Sequence, residues 1–92
     1  MSRPLVLIPW DRDEAITVTQ AAYIAKKTTV TMRDWAAKHH IGRRVGGGSW
    51  MISQPALLML LDGDDAALAS YLGGDRYGPA VRPYFVRCGL LT

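Results

Sequence analysis

Apolar residues recur at helical spacing in several short stretches of this chain. The first stretch, 18–25, holds an alanine pair and an isoleucine. It follows Thr17, which together with Gln20 has the spacing of a capping box. In a capping box the threonine hydroxyl accepts a hydrogen bond from the backbone three residues later, while the glutamine side chain reaches back. The pattern predicts a first helix over 18–25, which is short enough to depend on tertiary packing.

A second amphipathic stretch covers 29–39, and Thr28 stands where it can cap the helix. Met32, Trp35 and Ala36 recur at helical spacing and are predicted to face the core. The opposite side of this helix is predicted to hold Thr29, Val30, Arg33 and Asp34. Two short helices joined by about four residues indicate a helix-turn-helix, whose second helix meets base edges in the DNA major groove.

Three consecutive glycines, 46–48, separate two stretches rich in β-branched and aromatic residues, 41–45 and 50–53. Glycine supplies the positive φ that tight hairpin turns need. These three stretches therefore predict a two-stranded β-hairpin with a glycine-rich tip.

Two more helices are predicted after the hairpin. Ser53 can cap the first, 54–61, which is nearly all apolar and should be largely buried. Asp64 or Asp65 can cap the second, 66–72, which ends before two consecutive glycines.

The C-terminal tail, 73–92, is rich in large apolar side chains but carries two prolines. Pro79 suits the first position of a helix, whereas Pro83 removes a backbone donor one turn later, so a helix here is short or broken. The apolar side chains either close over the core or form an oligomerisation contact with another copy of the chain. The tail residues concerned are Val81, Tyr84, Phe85, Leu90 and Leu91.

Helix, basic turn, helix, hairpin and helix, in this order, predict a winged helix-turn-helix. The expected fold class is α+β, mostly α, with a two-stranded β-hairpin wing and a C-terminal helical tail. The expected organisation is an N-terminal arm (1–15), a DNA-binding domain (16–72) and a tail (73–92) that serves in oligomerisation. A chain of 92 residues has the length of one small domain.

Charge is distributed unevenly along the chain. Residues 26–44 hold six basic side chains and one aspartate, a local charge of +5, whereas 62–75 hold four aspartates and no basic residue. A compact basic segment either binds a polyanion or forms a solvated surface. Apolar runs fall far short of the roughly 20 residues that a membrane span needs, and Cys88 has no second cysteine for a disulfide. We therefore expect a cytoplasmic, nucleoid-associated protein without a membrane partner.

The run from 16 to 61 resembles the excisionase-type winged helix-turn-helix of the MerR superfamily. The resemblance lies in a threonine-capped helix with an Ala-Ala pair, a second helix with Thr31 and a later Trp35, a basic strand, a glycine-rich wing, an aromatic strand and a leucine-rich helix. The chain departs from the family at Lys26-Lys27, where many members have a glycine and an apolar residue. The tail sequence GPAVRPYFVRCGL is similar to the ends of short excisionase-like proteins from rhizobial mobile elements.

The candidate DNA-binding residues form three groups. The recognition helix and its cap supply Thr28, Thr29, Val30, Thr31 and Arg33. Phosphate contacts, which add affinity without sequence preference, are expected from Lys26, Lys27 and Lys38. The wing supplies Arg43, Arg44 and Ser49. Arg33 is the candidate for two hydrogen bonds to guanine, and strand alternation predicts that only one of the two wing arginines points to DNA.

Other chemistry is less well supported by the residues. His39 and His40 have no further ligand at metal-binding spacing, and Cys88 lacks a partner that would make it a nucleophile. No Walker-type lysine follows the glycines. We therefore expect no enzyme activity, no metal or other cofactor, and no small-molecule ligand.

The resemblance implies an accessory factor for DNA recombination, an excisionase or recombination directionality factor. Such a factor would bind double-stranded DNA cooperatively near an attachment site through self-association, and it would bend that DNA. A site-specific integrase would then carry out the excision of a mobile element. A small transcriptional regulator with the same DNA-binding surface, or a protein-interaction adaptor, are the alternatives.

Overall fold

Five short helices and a three-stranded antiparallel sheet form the part of the chain that the computed structural model describes, residues 4–91. Most of the regular structure is helical, which confirms the predicted α+β class. The elements in chain order are β1 (Ala15–Thr17), α1 (Val18–Ala25), α2 (Thr29–Lys38), β2 (Gly42–Arg44), β3 (Trp50–Ser53), α3 (Gln54–Leu61), α4 (Asp65–Leu72) and α5 (Arg82–Arg87).

Side-chain caps set the starts of the first four helices, as predicted. The Thr17 hydroxyl accepts from the backbone N–H of Gln20, whose side chain accepts from the Thr17 N–H, so the capping box is complete. The side chains of Thr28, Ser53 and Asp64 each accept from the backbone N–H three residues later, and so cap α2, α3 and α4. Because a cap fixes where a helix can begin, α1 and α3 start at the predicted residues.

The turn between α1 and α2 is a Schellman motif with lysines in it. The backbone N–H of Lys27 donates to the Ala22 carbonyl at 3.0 Å, and that of Lys26 donates to the Tyr23 carbonyl at 3.3 Å. Lys26 adopts the left-handed conformation, with φ of 57°, which glycine accepts without strain. The turn thus forms with a lysine at the position where this motif commonly has glycine.

The sheet corrects the predicted two-stranded hairpin, because it has three strands in the order β1-β3-β2. In β1, Ile16 pairs with Ile52 of β3, and on the other side of β3 the same Ile52 pairs with Gly42. The third strand was missed because β1 has only three residues, too few for alternation to appear, and it runs directly into α1.

The hairpin tip accounts for the glycine run. Gly46 and Gly47 have φ of 59° and 73°, and the Gly48 N–H donates to the Val45 carbonyl at 2.9 Å. Two central residues with positive φ characterise the type I′ turn, whose twist matches that of the flanking strands.

The core lies between α1, α2, the sheet and α3. Met32, Ala36, Ile41 and Ile52 are fully buried at the contact between α2 and the sheet. Helix α3 is buried along most of its length, as its apolar sequence predicts. The longest helix, α2, has ten residues, and none of the helices described over 4–91 is long and apolar enough to cross a membrane.

Both ends of the described chain join this core. Val6 and Leu7, placed in a separate arm by sequence, are buried, and the Leu5 N–H donates to the Leu72 carbonyl at the end of α4. In the tail, Val81, Tyr84 and Phe85 are buried within their own chain, so these three side chains close over the core and are not available for contact with another copy. Leu90 and Leu91 pack partly buried against the core.

Candidate nucleic-acid interface

Helix α2 exposes one continuous side, which we call the outer face of α2. Its residues follow helical spacing, and they are Val30, Arg33, Asp34, Ala37 and Lys38. Val30 is 71% exposed although it is apolar, and Ala37 adds little bulk beside it. The outer face of α2 therefore combines two cations with small or apolar side chains that permit close approach of a ligand.

A groove runs between α2 and the hairpin, and we call it the α2–hairpin groove. Arg33 lines it from α2, while Arg44 and Ser49 line it from the hairpin, and the start of α1 closes one end. Its volume is about 580 Å³. The fold thus brings together three of the residues that the sequence predicted for DNA binding, although they lie up to 16 positions apart in the chain.

Arg44 braces the tip of the hairpin. Its Nε donates to the Gly48 carbonyl at 3.0 Å, and its Nη2 donates to the Gly47 carbonyl at 3.1 Å. These bonds hold the guanidinium against the turn while the residue stays exposed. Arg44 therefore presents its charge at a fixed place beside the α2–hairpin groove.

Arg43 has a different environment from its neighbour, as strand alternation predicts. It is half-buried, does not line the α2–hairpin groove, and its guanidinium carbon lies 5.8 Å from the centre of the Trp10 ring. A cation at this distance from a tryptophan ring is attracted by the π electrons. The sequence offered no sign that the arm would reach Arg43.

The hydroxyl groups of Thr28 and Thr31 form hydrogen bonds within the cap of α2. The Thr28 hydroxyl accepts from the Thr31 N–H at 3.1 Å and donates to the Thr31 hydroxyl at 3.0 Å. Thr29 is half-buried. Val30 is thus the most available side chain in the first turn of α2.

The predicted lysines all reach solvent. Lys26 and Lys27 lie in the turn that leads into α2, and Lys38 lies in the last turn of the same helix. Positive charge is therefore present at both ends of the outer face of α2.

His39, just beyond, packs edge-on against Trp35 with ring centres 6.2 Å apart.

The interior of the protein holds a polar cluster that was not predicted from the sequence. Glu14 is 1% exposed, and its Oε2 accepts from the Tyr71 hydroxyl and, at 2.7 Å, from the Ser53 hydroxyl. Its Oε1 lies 3.6 Å from Nη1 of Arg76. Burial, then the nearby Glu14 charge, raises the pKa of Tyr71 to about 12. We call Glu14, Ser53, Tyr71 and Arg76 the Glu14 cluster; no local motif marks them, because they lie up to 62 positions apart.

Cys88 is half-buried, and burial raises the pKa of its thiol to about 11. The thiolate is the nucleophilic form of cysteine. At neutral pH this side chain is therefore protonated and of low reactivity.

Comparisons of the chain with protein-family models, curated proteins and solved structures gave no match. Function has to be inferred from the residues and their arrangement.

Proposed function

We propose that this protein is a sequence-specific double-stranded DNA-binding protein of the winged helix-turn-helix type. The observation that carries the proposal is the α2–hairpin groove, which sets Arg33 of α2 beside Arg44 and Ser49 of the hairpin. In this proposal α2 enters the major groove, and the hairpin is the wing that rests on the adjacent backbone.

The outer face of α2 supplies side chains suited to base edges. Arg33 is exposed and can donate two hydrogen bonds to guanine, while Val30 can contact a thymine methyl group. Asp34 on the same face can accept from cytosine. Lys26, Lys27 and Lys38 contact phosphates, which makes the affinity depend on salt.

The biological role proposed is that of an excisionase, and its support is the resemblance of residues 16–61 to that type of winged helix-turn-helix. Several copies bind beside an attachment site, bend the DNA and favour an integrase complex that excises the element. A small transcriptional regulator with the same surface is the second candidate, because it needs the same contacts.

A DNA titration across salt concentration tests the binding proposal. A duplex selected from a random pool is compared with a scrambled duplex of the same composition, for the wild type, Arg33→Ala and Arg82→Ala. Arg82 is exposed at the start of α5, which packs against α3, so its variant loses the same charge outside the proposed interface. We expect a steep fall of affinity with salt, and Arg33→Ala should lose about 1–3 kcal/mol of preference for the selected duplex.

Absence of binding, or a flat salt dependence, would overturn the DNA proposal and favour an adaptor that meets an acidic protein. Equal loss of preference in Arg33→Ala and Arg82→Ala would overturn the assignment of α2 as the recognition helix. An excision assay with the integrase of the parent element separates the two biological roles, since a regulator alone would leave excision unchanged.

A further inference from the structure

A second cleft lies between β2, the end of α2 and the N-terminal arm, and it shares Arg44 and Trp50 with the α2–hairpin groove. We call it the arm cleft. Its volume is about 440 Å³, and His40, Arg43 and Arg44 line it together with apolar side chains such as Ile8 and Trp50. Among the described residues that line it there is no aspartate or glutamate. A cleft with cationic and apolar walls suits an anionic ligand, because a lining of one charge sign concentrates the local potential.

Arg43 is the residue in this cleft whose donors are unused. Within residues 4–91 its guanidinium makes no hydrogen bond or ion pair, and its Nε is buried without an acceptor. Arg44 and Arg87, by contrast, donate to carbonyl and carboxylate oxygens of the protein. A buried charged donor without an acceptor costs free energy. The two terminal nitrogens of the same guanidinium are not buried, so their N–H groups remain accessible to an incoming anion.

Trp10 holds this guanidinium in place. The Arg43 carbon atom Cζ lies 5.8 Å from the centre of the Trp10 ring, within the range of cation–π attraction. Contact with an aromatic face leaves the in-plane N–H groups of a guanidinium directed elsewhere, so they stay free to bind an anion. The arm thus orients the cation without consuming its hydrogen-bonding capacity.

The arm cleft is continuous with the outer face of α2. Ala37 belongs to that face and also lines the cleft. A duplex docked on the outer face of α2 would therefore extend its backbone toward Arg43.

We propose that the arm cleft binds a backbone phosphate of the duplex through Arg43, and that Trp10 is the residue that positions Arg43. This inference rests on the proposed DNA-binding function. A guanidinium presents parallel N–H donors that match two phosphate oxygens. The footprint on DNA then includes the arm, and both wing arginines contact DNA instead of the one expected from strand alternation. The Arg43 contact adds affinity for any sequence.

The test measures binding of a short mixed-sequence duplex across a series of NaCl concentrations. Variants are Arg43→Gln, Trp10→Leu, Trp10→Phe and the double variant Arg43→Gln/Trp10→Leu. Arg43→Gln should weaken binding and lower the log–log salt slope by about 0.9, the value for one lost phosphate contact. Trp10→Leu should weaken binding about 2–5-fold through the lost cation–π contact, whereas Trp10→Phe, which keeps a ring, should weaken it less.

The double variant distinguishes positioning from general stabilisation. If Trp10 acts through Arg43, Trp10→Leu has no further effect in the Arg43→Gln background. The same loss in both backgrounds would overturn the role of Trp10. If the wild type has a steep salt slope and Arg43→Gln has the same slope, the phosphate site is overturned while the proposed function stands. If the wild type does not bind DNA, both are overturned. If thermal unfolding shows that Trp10→Leu does not fold, then Trp10→Phe and the Arg43→Gln slope decide the question.

Discussion

Arginines in this protein differ in environment because their neighbours differ. Arg33 reaches solvent from α2, Arg44 bonds to the carbonyls of its own turn, and Arg43 lies over the ring of Trp10. Sequence spacing predicts which side of a strand or helix each one occupies. The partner of each guanidinium depends on contacts between distant segments, so the distinction between Arg43 and Arg44 emerged only from the fold.

Lys26 illustrates a residue that the fold accommodates at some cost. It adopts a positive φ of 57° in the turn between α1 and α2, where a side chain crowds the backbone. We expect Lys26→Gly to raise the free energy of unfolding by about 0.5–1 kcal/mol, because the relief of crowding exceeds the entropy that glycine gains in the unfolded chain. Urea unfolding measures this change.

Lys27→Gly is the matched control for Lys26→Gly. It removes the same charge one residue later, and Lys27 does not have a positive φ. We expect no gain in stability from it. Under the proposed DNA binding, both variants should lower the salt slope of the affinity by about 0.9. A gain in stability of equal size in both variants would show that the benefit comes from reduced charge repulsion and not from the backbone.

At the scale of elements, the features predicted correctly are those that depend on interactions between residues close in sequence. The starts of α1 and α3 follow from caps within four residues, and the hairpin tip follows from the φ values of glycine. Strand β1 depends on pairing with β3, 36 positions away in the Ile16–Ile52 pair, so no local pattern announces it. Burial of the arm has the same cause, because Leu7 meets Tyr71.

The junction of α2 with the hairpin depends on the absence of a side chain at Gly42. A Cβ there would lie 2.5 Å from the backbone oxygen of Met51 and 3.1 Å from the side chains of Ala36 and Ile52. We expect Gly42→Ala to destabilise the protein by about 1–3 kcal/mol, since the Met51 backbone belongs to the central strand and has little room to move. Chemical denaturation gives the value.

Gly73→Ala provides the comparison for Gly42→Ala. Its φ is −81°, and an added Cβ would meet backbone oxygens at an ordinary 3.5 Å. A change within about 0.5 kcal/mol is expected there. If Gly42→Ala were equally mild, then α2 would not pack against the hairpin as closely as described, and the α2–hairpin groove would lack its rigid wall.

At the scale of the whole molecule, the Glu14 cluster connects segments from both ends of the chain. Ser53 joins it from the end of β3, Tyr71 from α4, and Arg76 from the loop before α5, while Arg76 also donates to the Leu5 carbonyl of the arm. Tyr84 and Phe85 of the tail are also buried in the core. Removal of the tail would therefore expose the core, and its effect would not be limited to a contact with another copy. Of the five tail residues predicted for oligomerisation, Leu90 and Leu91 are the two that remain half-buried.

The Glu14 cluster also sets how stability depends on alkaline pH. Burial and the Glu14 carboxylate raise the pKa of Tyr71 to about 12 from its ordinary value of 10.0. A raised pKa means that the unfolded chain loses the Tyr71 proton first, so the stabilisation is complete below pH 10.0 and declines as the pH rises toward about 12. We expect the free energy of unfolding to fall in this window by up to about 1.4 kcal/mol per pH unit from this residue.

Tyr71→Phe identifies the source of this decline. The variant leaves the Leu7 N–H without its acceptor, so at neutral pH it should be less stable by about 1–3 kcal/mol. Its stability should then fall less steeply than that of the wild type as the pH rises from 10.0, as followed by urea unfolding at each pH. Some decline remains, because burial and a hydrogen bond to Asp64 also raise the pKa of Tyr84 to about 12. The stability of the wild type and of Tyr71→Phe could instead fall equally steeply with pH. Tyr71 would then ionise as readily in the folded protein as in the unfolded chain, and the Glu14 cluster would not hold the arm and α4 together.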